Sequence, residues 1–276
     1  MKEQLSQVIV ARALEFGADL CGIAPVGVLR DSPSTVINAA YGEASRPGYC
    51  GDPSKSGDAK STIIIAVAHP KFKPEMDWWF GSINPPGNQL LIEVIIKLKQ
   101  WLTVNYPAIK VYPLPYHVEN GGIYLKDAAA QAGLGCIGKN NLLITPHYGP
   151  QVRLRAMLIS EELVPTGPGS FDPCADCAMY CRKACPVRAF DETIWTKEAM
   201  QVDILPARDG TYNRRQCNIT MDSNSTDARE EIVTLPEIIF EKNIGSENDT
   251  PGKQAVKVIR YCRKCELACP VGHNKV

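Results

Sequence analysis

Cys174-Ala-Asp-Cys177-Ala-Met-Tyr-Cys181-Arg-Lys-Ala-Cys185-Pro186 decides how the C-terminal part of this chain is read. A shorter echo follows, Cys262-Arg-Lys-Cys265-Glu-Leu-Ala-Cys269-Pro270, and Cys217 stands alone between the two. Closely spaced thiolates wrap the corners of an iron–sulfur cube, and in runs that end in Cys-Pro the last Cys turns away to a different cluster. The spacing therefore assigns Cys174, Cys177, Cys181 and Cys269 to one [4Fe–4S] cluster. Cys262, Cys265, Cys185 and Cys217 are assigned to a second. Two Cys-x2-Cys pairs would also serve zinc; the Cys-Pro endings favour iron. Three residues separate Cys177 from Cys181 where two-cluster ferredoxins have two, so the loop is expected to bulge there.

The bulk numbers agree with a redox protein. The chain has 276 residues, 45% of them hydrophobic, enough for one large or two modest domains. Its eleven cysteines need a reason. No leader is read in Met1-Lys2-Glu3-Gln4-Leu5, and the longest apolar run, Ile63 to Ala68, is strand-sized. A cytoplasmic location with no membrane partner is thus expected, where disulfides are disfavoured and metal or redox chemistry is the better default for cysteine. Lys+Arg and Asp+Glu are both 30, so nothing advertises a nucleic-acid surface.

Working outward, the N-terminal part reads as α/β. Helices are expected over residues 4–16, 89–104 and 124–132, and strands over 18–24, 61–68 and 152–160. Residues 30–60 read as a long surface connection, and Pro85-Pro86-Gly87-Asn88 as a turn. Pro165-Thr-Gly-Pro-Gly-Ser170 reads as a linker. The division is placed there: 1–165 as an α/β core, 166–276 as a small cluster-binding domain.

Gly133-Leu-Gly135-Cys136-Ile-Gly138-Lys139 fits the G-x-G-x-x-G spacing of a dinucleotide site. That site needs a strand before the glycines and a helix after them. Here a helix precedes and Leu142 to Thr145 looks extended, so the context is inverted. A helix C-cap with a tight turn is one alternative, and a backbone loop lying flat against a large cofactor is another. Cys21 reads as a buried inert thiol, and Trp78, Trp79 and Phe80 as core aromatics or the roof of a pocket.

At Lys126-Asp-Ala-Ala-Ala-Gln-Ala-Gly-Leu-Gly-Cys-Ile-Gly-Lys139 and Thr145-Pro-His-Tyr-Gly-Pro-Gln-Val-Arg-Leu154, followed by the Cys runs, the chain resembles epoxyqueuosine reductases and the related reductive dehalogenases. Glu15-Phe-Gly-Ala-Asp-Leu-Cys-Gly-Ile23 also resembles that family's N-terminus. The resemblance implies a nitroreductase-like α/β core followed by a ferredoxin-like double [4Fe–4S] domain. It further implies a base-off cobalamin between them, reduced by the clusters, with Gly133, Gly135, Cys136, Gly138 and Lys139 beside it. The family's proton-donating Asp falls on Glu119, where a carboxyl beside an apolar macrocycle would have a raised pKa.

Departures from the family are plain. Its Gly-Arg-Asp-Tyr-His stretch is replaced by Met76-Asp-Trp-Trp-Phe-Gly-Ser-Ile-Asn-Pro-Pro86, and the Trp of its Gly-Leu-Gly-Trp turn is Cys136. The helical-repeat extension of many queuosine enzymes is absent from the sequence, which with zero net charge speaks against tRNA. The expected function is a cobalamin-dependent reductase of a small or unidentified substrate, supplied by a ferredoxin- or flavodoxin-type low-potential donor. The alternative is an electron-transfer protein, or a reductive activator of a corrinoid protein, with no substrate chemistry of its own.

Overall fold

The computed structural model describes residues 2–40, 57–234 and 253–272; Cys50 and residues 41–56 of the expected connection lie outside them. In chain order the elements are α1 (Lys2–Glu15), β1 (Leu20–Pro25), α2 (Gly27–Arg30), α3 (Pro33–Ala40), β2 (Ser61–Ala68), β3 (Trp79–Phe80), α4 (Pro86–Asn105), β4 (Val111–Pro113), α5 (Leu125–Gln131), β5 (Cys136–Ile137), β6 (Leu143–Ile144), β7 (Val152–Ile159), α6 (Tyr180–Lys183), α7 (Lys197–Met200), α8 (Arg214–Asp227), β8 (Glu230–Thr234), β9 (Lys253–Ile259) and α9 (Lys264–Leu267). Helices and sheets together make a mixed α/β architecture.

The principal sheet has the order β1-β2-β7-β4, antiparallel throughout. Its central strand is the Ile-rich β2, buried on both faces. Period-two alternation explains why. Ile63, Ile65 and Val67 join Met157 and Ile159 against α1 and α4, through Ile9, Leu91, Val94 and Leu98. Ile64 and Ala66 join Ala156 and Leu158 against α5, through Ala128, Ala129 and Ala132. Small alanines on α5 let that helix lie close to the sheet. Gly22 of β1 allows the same approach: a Cβ there would stand 2.6 Å from the Ala132 carbonyl oxygen.

Two expectations are corrected. Residues 33–40 are helical rather than connection. The reason is tertiary: the Asp127 carboxylate on α5 accepts from both the Ser34 N–H and the Ser34 hydroxyl at 2.9 Å, satisfying a donor at the start of α3 that would otherwise be orphaned. The expected turn at 85–88 is the first turn of α4, where Pro86 suits a helix start because its missing N–H is not needed.

The stretch 165–170 is docked rather than free. The Thr166 N–H donates to Ile23 O at 3.0 Å, and its hydroxyl donates to Ala132 O at 2.6 Å. Beyond it a second sheet, β3-β9-β8, pairs Trp79 and Phe80 with Ile259 and Val258. The aromatic stretch 78–80 is therefore packed against β9, with Phe80 buried on Val258 and the Arg260 guanidinium 4.2 Å from the Trp78 ring centre.

Candidate functional site

The glycine hairpin sits where α5 ends. Gly133 adopts φ +75°, a left-handed conformation open to glycine, and terminates the helix. Strands β5 and β6 then form a two-stranded ladder pairing Cys136 with Ile144. Gly135 and Gly138 face that ladder: a Cβ at 135 would lie 2.0 Å from the Ile144 carbonyl oxygen, and one at 138 would lie 2.6 Å from the Ile144 side chain. Helix before and strand after is the inverse of a dinucleotide site, and both glycines close onto the chain's own Ile144. Directly after the motif, the buried Asn140 amide nitrogen has no hydrogen-bond partner among the described residues.

Ile144 of this ladder packs against Cys174 and Cys269, with Cys136 alongside. Burial pushes the Cys269 thiol up to about 11, and the neighbouring Cys174, Cys181 and Cys177 push the same way. Burial likewise raises Cys181, with Cys174 and Cys177 adding to it. Cys174, Cys177, Cys181 and Cys269 thus stand as mutual neighbours. The extra residue between Cys177 and Cys181 is absorbed at Met179, whose φ of 57° turns the chain before α6.

A second neighbourhood holds the other four. Burial pushes Cys265 up to about 12, reinforced by Cys217 and Cys262. Cys217 is raised by burial first, lowered by a hydrogen bond from Tyr212, and raised again by Cys185 and Cys262. Cys217 arrives from α8, whose N-cap Asn213 accepts from the Gln216 N–H at 3.0 Å. Helices α6 and α9, one from each cysteine run, pack together. Cys181 also acts on Cys265, so the two neighbourhoods adjoin. All ten described cysteines are free thiols, and Cys21, packed in the sheet core, is raised to about 12 by burial alone. Among the described residues, no group of three His, Cys, Asp or Glu is set to hold a single metal ion. The donor set fits iron–sulfur chemistry: two adjoining sets of four thiols, each drawn from two or more separated segments.

Basic residues surround the thiols, and the cysteine spacing gave no sign of them. Arg182, next to Cys181, donates to Lys139 O and Ala207 O, both at 2.9 Å, and to Asp209 at 2.7 Å. Arg208 donates to Ile137 O at 2.6 Å and to the Cys136 sulfur at 3.3 Å. Lys126 donates to Asn141 O at 2.6 Å, and burial lowers its pKa while Asp127, Cys217 and Cys265 oppose the shift. Lys139 reaches Ala175 O at 3.3 Å. These cations and hydrogen bonds favour negative charge on sulfur.

A buried charge network fastens the second run to the core. Asp77 pairs with Arg153 and lies 3.8 Å from the Arg263 guanidinium, which itself pairs with Glu266. Arg263 also donates to His69 O at 2.8 Å. His69 is buried, and its Nδ1 stands 3.8 Å from Glu266 and 3.9 Å from Asp77.

Glu119 lies in a single 3-10 turn, Val118–Asn120, closed by Gly121 at φ 96°. The described atoms fix its backbone only. No helix among the described residues is long and apolar enough to cross a membrane.

No family model matches the chain. An epoxyqueuosine reductase of Listeria monocytogenes is 36% identical over 139 residues, covering 47% of this chain and 35% of that protein. One from Gloeobacter violaceus is 32% identical over 197 residues, covering 67% of this chain and 60% of its own length. A tetrachloroethene reductive dehalogenase of Desulfitobacterium hafniense is 41% identical over 216 residues, covering 68% and 39%. The chain thus spans only part of the length of these relatives. Among solved structures, a crystal structure of epoxyqueuosine reductase aligns with TM-score 0.64 over 99% of this chain and 66% of that one, at 21% identity. Another was solved with an epoxyqueuosine-modified tRNA stem loop, also with TM-score 0.64. At such identity the match speaks for a shared fold. In sequence the chain is similar to epoxyqueuosine reductases and to a reductive dehalogenase, and it shares the fold of the solved epoxyqueuosine reductases.

Proposed function

We propose that this chain is a cytoplasmic iron–sulfur oxidoreductase that passes electrons through two [4Fe–4S] clusters to a small substrate, with cobalamin as its reactive cofactor. One observation carries the iron–sulfur part: eight thiols from both cysteine runs and from α8 stand in two adjoining sets of four. On this reading residues 1–165 form a nitroreductase-like core and 166–276 a ferredoxin-like domain. The β3–β9 pairing would then seat one on the other.

The clusters would supply single electrons at low potential. Cys174, Cys177, Cys181 and Cys269 would hold one, and Cys185, Cys217, Cys262 and Cys265 the other. Arg208, Lys126 and the Tyr212 hydroxyl are placed to stabilise added negative charge. Arg182 ties the first run to the Lys139 backbone, bringing the glycine hairpin and the first set together. The hairpin backbone and the orphaned Asn140 amide would meet the cofactor, and Glu119 would hold the proton that accompanies the electrons.

Chain purified without air should contain about eight irons and no stoichiometric zinc. A colourless, iron-free chain after attempted cluster rebuilding would end the proposal. With cobalamin added, a cobalt spectrum that changes on reduction is expected. Glu119→Gln should then keep both clusters and lose turnover.

The second reading, electron transfer without a corrin, is favoured by the glycine hairpin. Gly135 and Gly138 are accounted for by close contacts within the hairpin itself, chiefly with Ile144. Failure to bind cobalamin at micromolar concentration, with both clusters in place, would select this reading. The same preparation can be offered an epoxyqueuosine-modified tRNA stem loop; turnover would replace the small substrate with tRNA.

A further inference from the structure

A cleft of about 570 Å³ lies between α4 and the edge strand β4. That volume falls within the roughly 300–1,000 Å³ typical of small-ligand pockets. Ile92, Ile95, Ile96, Pro113 and Leu114 make its wall, and no aromatic ring among the described residues lines it. Arg155 also lines the cleft. It belongs to β7 and stands opposite Ile65 in the sheet. Neighbouring odd-numbered residues of both strands, Ile63, Ile65 and Met157, lie in the core packed on α4, whereas the glycine hairpin adjoins the core on the α5 side.

Arg155 has an unusual position for a guanidinium. Its chain neighbour at the next odd position, Arg153, is matched by Asp77 and by Asn88, the latter at 2.9 Å. Arg155 is partly buried, and its guanidinium has no hydrogen-bond or ion-pair partner among the described residues. Burial lowers its pKa, and Tyr116 nearby opposes the shift. Guanidinium groups placed in apolar surroundings are ordinarily matched by a carboxylate or another acceptor. Lys99, exposed on α4, adds a second cation to the lining.

We propose that this cleft binds an amphipathic monoanion, a carboxylate on an aliphatic body, with Arg155 as its counter-charge. The aliphatic wall selects the body, and the guanidinium, which no described residue pairs, selects the head. Two N–H groups of Arg155 would take the carboxylate in the bidentate manner that guanidinium geometry favours. Lys99 would add long-range attraction. Nothing in this binding depends on iron, so it stands or falls apart from the cysteine sets.

Decanoate below its micellar concentration is the probe, titrated calorimetrically into the full chain purified without air. Saturable one-to-one binding is expected, weakened about tenfold or more by Arg155→Gln, a difference of about 1.4 kcal/mol by the usual conversion. Decanol, with the same body and no charge, should bind about as weakly to the unaltered chain as decanoate does to that variant. Equal binding of decanol and decanoate, unchanged binding by Arg155→Gln, or no binding at all would overturn the proposal. Ile96→Trp changes an exposed position on the wall and should block the probe even if Arg155→Gln folds poorly. Retained binding in that variant would place the probe elsewhere and overturn the proposal too. A dimer in sedimentation that decanoate does not dissociate, and that Val104→Glu abolishes, would assign the cleft to a second copy of the chain instead.

Discussion

Arg208 donates to the Cys136 sulfur at 3.3 Å while its other nitrogens reach Ile137 O and the Asp172 carboxylate. Cys136 is a neighbour of Cys174, is held by a guanidinium, and lies outside the two proposed sets of four. Asp172 in turn accepts from the Cys174 N–H at 3.0 Å, so one cation organises the approach to the first cysteine run. Cys136→Ser should therefore leave iron content and visible spectrum unchanged. Loss of about four irons would move Cys136 into the ligand set.

Gly135→Ala is expected to destabilise the fold severely. Its methyl group would fall 2.0 Å from the Ile144 carbonyl oxygen, and backbone on both sides must move to admit it. Overpacking of this kind costs about 1–3 kcal/mol or more. A Cβ at Gly169 would meet nothing within 4 Å, so Gly169→Ala should stay within about 0.5 kcal/mol of the parent. Urea denaturation of both variants makes the comparison; similar midpoints would mean that the hairpin yields.

How much of this was legible beforehand depends on the range of the interactions involved. Strand β2 was readable because six consecutive apolar residues, Ile63 to Ala68, can hardly be anything but buried, and α5 because Gly133 marks its end. Helix α3 was not readable, because its cap is Asp127, about ninety residues away in sequence. Pro86 looked like a turn because Pro-Pro-Gly-Asn is turn-like locally, while burial of Leu91 and Val94 carries the helix back to it. The cysteines announced themselves by spacing. Arg208, Arg182 and Lys126 did not, because an arginine or lysine in a loop or on a short helix carries no periodic signal that it will face sulfur.

Cys217 offers a sharper test of the second thiol set, since it comes from α8 and from neither run. Tyr212 hydrogen-bonds it, and Cys185, Cys262 and Lys126 surround it. Cys217→Ala should lower iron from about eight to about four per chain and leave the spectral signature of one cluster. Full iron retention would exclude Cys217 as a ligand. Tyr212→Phe should keep the iron but lower the potential of that cluster, because a hydrogen bond to sulfur stabilises the more negative state.

His69 should govern part of the acid sensitivity of the fold. Burial depresses its pKa from 6.5 to about 4, because the charged imidazolium cannot be hydrated at its site between Asp77, Arg153 and Arg263. In the unfolded chain it titrates near its ordinary value, about 6.5. Between these values the unfolded state binds more protons, so stability rises with pH there. The contribution of neutral His69 is complete above about pH 6.5 and is lost as pH falls toward 4. A shift of this size amounts to something on the order of 3 kcal/mol. Glu266 responds in the opposite sense: burial raises its carboxyl to about 7, so the folded chain takes up a proton there first and part of the slope is cancelled. The His69 term is isolated by comparing the parent with His69→Asn in chemical denaturation from pH 4 to 7. The variant should lose the rising His69 term and expose the opposing Glu266 term, so its stability should fall as pH rises from about 4.5 to 7, where the parent's curve is flatter. Parallel pH curves for the two proteins would show that His69 takes no part in the acid transition.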